Sequence, residues 1–197
     1  MRKLFVLGVL AGLVFPALAD GPEHKSEGTF YLGYIRGDAA LDVANSPVLD
    51  DDFSVGVQWS RAFTPTWGFL WRLGYSPNQI TNLSGADVGA DLLYTDFSAT
   101  YQANFQNLSL YVPFGVGYAN ASFDRPLVAP TCPGPSCVKV DGDSGLTYHV
   151  GLGMKFPCGK NKLWSVEGRY RVLDAITDSL DARMDTFELS VGFGWAY

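Results

Sequence analysis

Residues 187–197 read Phe-Glu-Leu-Ser-Val-Gly-Phe-Gly-Trp-Ala-Tyr, with large apolar side chains at odd positions and small or polar ones between. Successive side chains of a strand point to opposite faces, so Phe187, Leu189, Val191, Phe193, Trp195 and Tyr197 share one face. Glu188, Ser190, Gly192, Gly194 and Ala196 share the other. Seven further segments have the same period of two, near 28–37, 52–61, 67–76, 91–103, 108–119, 145–156 and 163–173. Each is about as long as a tilted strand crossing a bilayer. One such segment alone would also suit the edge of a soluble β-sandwich, so the connections and the faces must decide.

The connections alternate in length. Segments 38–51, 77–90, 120–144 and 174–184 are long, whereas 62–66, 104–107 and 157–162 are short. An up-and-down barrel in an outer membrane has this asymmetry, with tight turns and both termini on the periplasmic side and long loops outside. A sandwich has no reason to produce it. Charge follows the same division: Asp38, Asp42, Asp50, Asp51, Asp52, Asp87, Asp91, Asp124, Asp141, Asp143, Asp174, Asp178, Asp181 and Asp185 lie in or beside the long connections. The short turns and their edges carry Arg61, Lys160 and Lys162 and no acid. Aspartate favours loops in general, but that preference does not explain the one-sidedness.

Away from the strand ends, the aromatic-rich faces of the second to eighth strands carry no Asp, Glu, Lys or Arg, whereas the opposite faces carry Arg72, Asp96, Lys155, Glu167, Arg169, Arg171 and Glu188. Those charges therefore point into a lumen. A soluble ligand-carrying barrel would have the opposite sign, apolar inside and charged outside. The predicted fold class is all-β, an eight-stranded antiparallel up-and-down transmembrane β-barrel, in which closure satisfies every backbone group without water. Trp59, Trp67, Trp71, Tyr75, Phe193, Trp195 and Tyr197 form the expected lipid-facing aromatic girdle. In the first strand Phe30, Leu32 and Tyr34 compete with Tyr31 and Ile35 for the outside, and the first set is the expected one.

Residues 1–19 read as a secretory signal: Arg2 and Lys3, an apolar stretch over 4–15, and Ala17-Leu18-Ala19 before Asp20. The expected division is a signal peptide at 1–19 and a barrel domain at 20–197. The apolar run is too short to span as a helix, and no cysteine near the junction suggests a lipidated start. Without Arg2 and Lys3 the chain keeps 12 basic residues against 20 acidic ones, a formal charge of −8, which disfavours nucleic acid as a partner. Cys132 and Cys137 sit in a proline-rich Cys-Pro-Gly-Pro-Ser-Cys loop, where export and an x4 spacing favour a local disulfide. A zinc site there would need two more ligands, with His24 and His149 the only histidines. Cys158 is left over.

The signal, the eight alternating strands and the aromatic ending together resemble the small outer-membrane barrels similar to the OmpA transmembrane domain. Gly115-Val116-Gly117-Tyr118-Ala119-Asn120, leading into a long loop, resembles a stretch common in that family. The family ending is more often Phe than the Tyr197 found here. The expectation is a bacterial outer-membrane protein of Gram-negative type, without the C-terminal peptidoglycan-binding domain that some relatives carry. Its expected partners are outer-membrane lipid or lipopolysaccharide, and the barrel-assembly machinery through the C-terminal strand. It is expected to be a monomer with no cofactor and no bound metal.

An eight-stranded barrel is only wide enough for its own side chains, so the inward charges must pair. Simple hairpins set Arg72 opposite Asp96 and Arg169 opposite Glu188, with Lys155 diagonal to Glu167 and Arg171 as the unpaired base near the external mouth. The expected function is envelope integrity with a surface-exposed role and a lumen plugged by paired charges. Two alternatives stay open: a narrow gated pore for water or small ions, and an adhesin acting through the long acidic loops. Asp50-Asp51-Asp52 and Asp141-Gly142-Asp143 could hold divalent cations that bridge to glycolipid, although neither has calcium-loop spacing. Small barrels can be lipid-modifying enzymes, but no His-x-Ser motif resembling the deacylase signature occurs, and His149 reads as polar lumen filling. No enzymatic role is expected.

Overall fold

A computed structural model describes residues 26–37, 48–81, 88–128, 139–173 and 184–197. The expected signal peptide and the Cys132–Cys137 pair lie outside the described residues. The strands are β1 (Ser26–Gly37), β2 (Val48–Leu49), β3 (Asp52–Ala62), β4 (Trp67–Thr81), β5 (Val88–Asn104), β6 (Ser109–Val128), β7 (Lys139–Pro157), β8 (Lys162–Leu173) and β9 (Met184–Ala196). Eight of them close into one antiparallel ring, in the order β1, β3, β4, β5, β6, β7, β8, β9 and back to β1. The two-residue β2 adds to the far end of β4, with Val48 opposite Thr81. The β1–β9 seam runs from Glu27 opposite Ala196 to Gly37 opposite Thr186. A closed ring has no free edge, so its ladder groups are paired within the chain.

Alternation decides the two faces. In β1, Phe30, Leu32 and Tyr34 are exposed while Tyr31 and Ile35 are buried, as expected. Outside, Trp67 packs edge-on against Tyr101 at 5.2 Å between ring centroids, and Trp164, Phe193 and Trp195 form a chain of contacts at 4.9 and 5.1 Å. These rings lie near the short turns. At the opposite end the outward side chains are tyrosines bonded to acids: Tyr34 donates to Asp51 at 2.8 Å, Tyr75 to Asp91 at 2.7 Å, and Tyr170 to Asp185. Two aromatic belts thus bracket an apolar band without charges. On β4 the distance from Trp67 to Tyr75 is about 27 Å along the strand at ~3.4 Å per residue. With the tilt of such strands, that suits a band ~25 Å tall.

The strands on one side of the barrel are longer than the apolar pattern predicts. β4 continues to Thr81, β5 begins at Val88, β6 reaches Val128 and β7 begins at Lys139. Much of the expected loops 77–90 and 120–144 is therefore extended hairpin, with an irregular register between Ser122 and Leu127. The reason is physical: beyond the lipid a strand needs no outward apolar residues, so hydrophobic alternation stops before the hydrogen-bonded ladder does.

Candidate functional site

The lumen is organised in layers. On the side of the long connections, Ile35, Leu92, Tyr94, Ala119, Ala121 and Leu173 form a buried, mainly apolar cluster. Below it lies a charged layer: Arg72, Arg169, Arg171, Asp96 and Glu188 are all 0 % exposed and Glu167 only 3 %. Each arrives there by strand parity. Arg72 is on β4, Asp96 on β5, Glu167, Arg169 and Arg171 on β8 at alternating inward positions, and Glu188 on β9.

Backbone register places Arg72 opposite Asp96 and Arg169 opposite Glu188. The side chains do not pair along those rungs. Arg72 reaches across the lumen, donating Nη1 to Glu167 Oε1 at 2.9 Å and Nη2 to Glu188 Oε1 at 2.6 Å. Arg169 and Arg171 both donate to Asp96 Oδ2, at 2.7 and 2.6 Å. Arg169 Nε also donates to Glu167 Oε1 at 2.8 Å, and Arg171 approaches Glu188 Oε2 at 3.5 Å. Three guanidiniums and three carboxylates therefore form one connected, charge-neutral layer. Long side chains in a narrow barrel reach past their ladder neighbours, which pairwise reasoning along hairpins cannot anticipate.

Two expected partners need correction. Lys155 does not meet Glu167; its ammonium bonds Glu27 and, at 3.2 Å, Ser60 Oγ, one layer nearer the short turns. Arg171 is not the unpaired base, because Asp96 and Glu188 engage it. Glu27, just outside the expected first strand, is the acid missing from the sequence-level balance. Its alternation with Thr29 and Tyr31 on β1 was the available signal.

Tyrosines complete the layer. Tyr94 donates to Glu188 Oε1 at 2.9 Å, Tyr111 donates to Glu167 Oε2 at 2.7 Å, and Ser54 donates to Glu188 Oε1 at 2.7 Å. The Arg72 guanidinium lies 3.6 Å over the Tyr31 ring and that of Arg171 4.0 Å over Tyr94. Such stacking adds to the ion pairs and is specific to planar arginine. Glycine makes the room: a Cβ at Gly74 would stand 2.2 Å from the Tyr31 hydroxyl and 2.3 Å from Tyr94 Cζ.

His149 is inward, as expected, and its Nε2 is 2.7 Å from Ser98 Oγ, while Nδ1 lies 3.6 Å from Asp96 Oδ1. The order resembles a nucleophilic triad. A working nucleophile must meet its substrate, however, and Ser98 is 1 % exposed while Asp96 is held by two arginines. The group fills the wall of the lumen, with Ser98 bonded to His149 Nε2 while His149 Nδ1 and Asp96 Oδ1 stay buried without a hydrogen-bond partner among the described residues. Of the outward girdle residues, Trp67, Trp195 and Tyr197 are exposed, and Trp59, Trp71, Tyr75 and Phe193 are half-buried among neighbouring rings and strands. Trp71 Nε1 finds the Thr95 hydroxyl at 2.9 Å, which satisfies its polar handle on that apolar face.

The fold is shared with solved outer-membrane proteins. Neisserial surface protein A from Neisseria matches with a TM-score of 0.60 at 15% identity, over 87% of this chain and 97% of that one. OprG from Pseudomonas aeruginosa matches with a TM-score of 0.57 at 12% identity, over 89% and 96%. Ail of Yersinia pestis, in complex with the heparin analogue sucrose octasulfate, matches with a TM-score of 0.55 at 16% identity, over 89% and 100%. At these identities the likeness shows the fold alone. No curated protein matches the chain in sequence. The sequence does match the family described as outer membrane protein beta-barrel domain over residues 5–196. The chain therefore belongs to the outer membrane protein beta-barrel domain family and is a protein of the outer membrane.

Proposed function

We propose that this barrel is a closed envelope protein, contributing integrity and a presented surface to the outer membrane rather than a conduit through it. The observation that carries the reading is the neutral layer of Arg72, Arg169, Arg171, Asp96, Glu167 and Glu188, shielded from solvent and backed by an apolar cluster. A hydrated ion entering from either side would have to cross both the apolar packing and the layer of ion pairs. Small barrels of this strand number have interiors just filled by side chains. The barrel acts as a monomer, with outer-membrane lipid or lipopolysaccharide as its surroundings and insertion guided by the C-terminal strand. A bound sulfated glycan of the kind seen with Ail does not carry over on charge, because the long connections here are rich in aspartate. Any surface partner of those loops is cationic or bridged by cations.

Liposome swelling tests the reading. Proteoliposomes of the wild type should swell in a small sugar no faster than protein-free liposomes, and swelling at the rate of an open porin would refute closure.

A further inference from the structure

The end of the barrel near the short turns has chemistry unlike the rest of the chain. Below the charged layer the lumen opens into a cavity of about 710 Å³. Its charged lining residues are Glu27, Arg61, Lys155, Lys160 and Lys162. Four bases stand against the single acid Glu27, so the lining as a whole is positive, with Arg61 at the end of β3, Lys155 on β7, and Lys160 and Lys162 at the β7–β8 turn. In a chain of formal charge −6 this is a concentrated reversal of sign. A concave site lined by one sign focuses the field and raises the local concentration of the opposite charge.

The walls are built before any ligand arrives. Gln102 Nε2 and Asn104 Nδ2 both donate to the Pro65 carbonyl, at 3.3 and 2.8 Å, and Thr64 Oγ1 accepts from the Trp67 amide at 2.9 Å. The opposite wall is held by Cys158 N donating to Lys162 O and Ala196 N donating to Asn161 O, each at 2.8 Å. Thr100 places a neutral hydroxyl among the lining residues, while the Ser60 hydroxyl donates to Glu27. Arg61 and Lys162 occupy the outward parity of their strands, beside Phe69 and opposite Trp195 respectively in the ladder. They therefore stand both at the cavity mouth and at the level of the aromatic belt, which marks the lipid headgroup region.

From this juxtaposition we propose that the short-turn mouth is a binding site for the phosphodiester of an anionic lipid headgroup, gripped by Arg61, Lys160 and Lys162. Arginine and lysine are the side chains suited to phosphate oxygens. The outward parity of two of them favours a lipid as the source over free phosphate. The site is separate from the buried layer, so its loss would leave the proposed closure of the lumen intact.

Native mass spectrometry of the full chain in dodecyl maltoside, an uncharged and phosphate-free detergent, tests the site. With phosphatidylglycerol added, the wild type should retain one lipid per barrel, and a neutral diacylglycerol should not be retained. The K160E/K162E double variant should lose retention by about tenfold, with unchanged β-type circular dichroism because both lysines are exposed. Arg61→Gln should lose it in part. Equal retention of phosphatidylglycerol and diacylglycerol, or wild-type retention by the double variant, overturns the proposal. So does calorimetric binding of inorganic phosphate, lysine-dependent, without any lipid retained, which would assign the mouth to the free ion.

Discussion

Glu188 accepts hydrogen bonds from Arg72, Ser54 and Tyr94, so truncating it leaves a buried guanidinium without one of its two carboxylates. Removing one member of a buried ion pair costs about 3 to 5 kcal/mol, mainly through the stranded charge. Glu188→Ala should therefore lower the unfolding free energy by that amount, read from urea titration of the refolded barrel in lipid vesicles. Glu27→Gln should cost on the order of 1 kcal/mol, because Glu27 and Lys155 retain solvent contact. A cost for Glu27→Gln equal to that of Glu188→Ala would contradict the layering. At Gly74 the expected effect is steric: Gly74→Ala drives a methyl into the Tyr31 and Tyr94 rings and should destabilise by about 1 to 3 kcal/mol in the same titration.

The outward faces of β1, β3 and β9 present an aliphatic middle between aromatic ends, and β9 shows it most simply. Val191 is outward and exposed while its neighbours Ser190 and Gly192 are buried. Val191→Arg should cost about 2 to 4 kcal/mol in vesicles, the penalty for a cation near the midplane on a lipid face. A negligible cost would mean that this face does not meet lipid. The strands themselves and their facing were legible in the sequence, because lipid outside and a packed lumen inside impose strict alternation. The ends of β5, β6 and β7 were not, since outside the lipid the ladder persists without hydrophobic residues. Nor were the cross-lumen partners of Arg72 and Lys155, which depend on how far long side chains reach across a closed ring. At the short-turn end of β7, Cys158 is exposed with a free thiol. If Cys132 and Cys137 form the disulfide that their spacing suggests, maleimide should add one label to the oxidised protein and three after reduction; three labels without reductant would exclude the bridge.

The molecule as a whole combines an apolar exterior, a neutral but fully charged interior layer and two ends of opposite sign. The Asp-rich long connections and the basic short-turn mouth give it a polarity along its axis. Several of those aspartates have a part in the fold as well as in the surface, since Asp51, Asp91 and Asp185 accept from the tyrosine belt. The proposed closure of the lumen rests on the whole ring, because the charged layer draws on β4, β5, β8 and β9 together. Single-channel recording in planar bilayers addresses that closure most directly. The wild-type barrel, inserted and verified as folded, should give no discrete conductance steps across ordinary voltages, whereas regular openings of the wild type would contradict a plugged lumen.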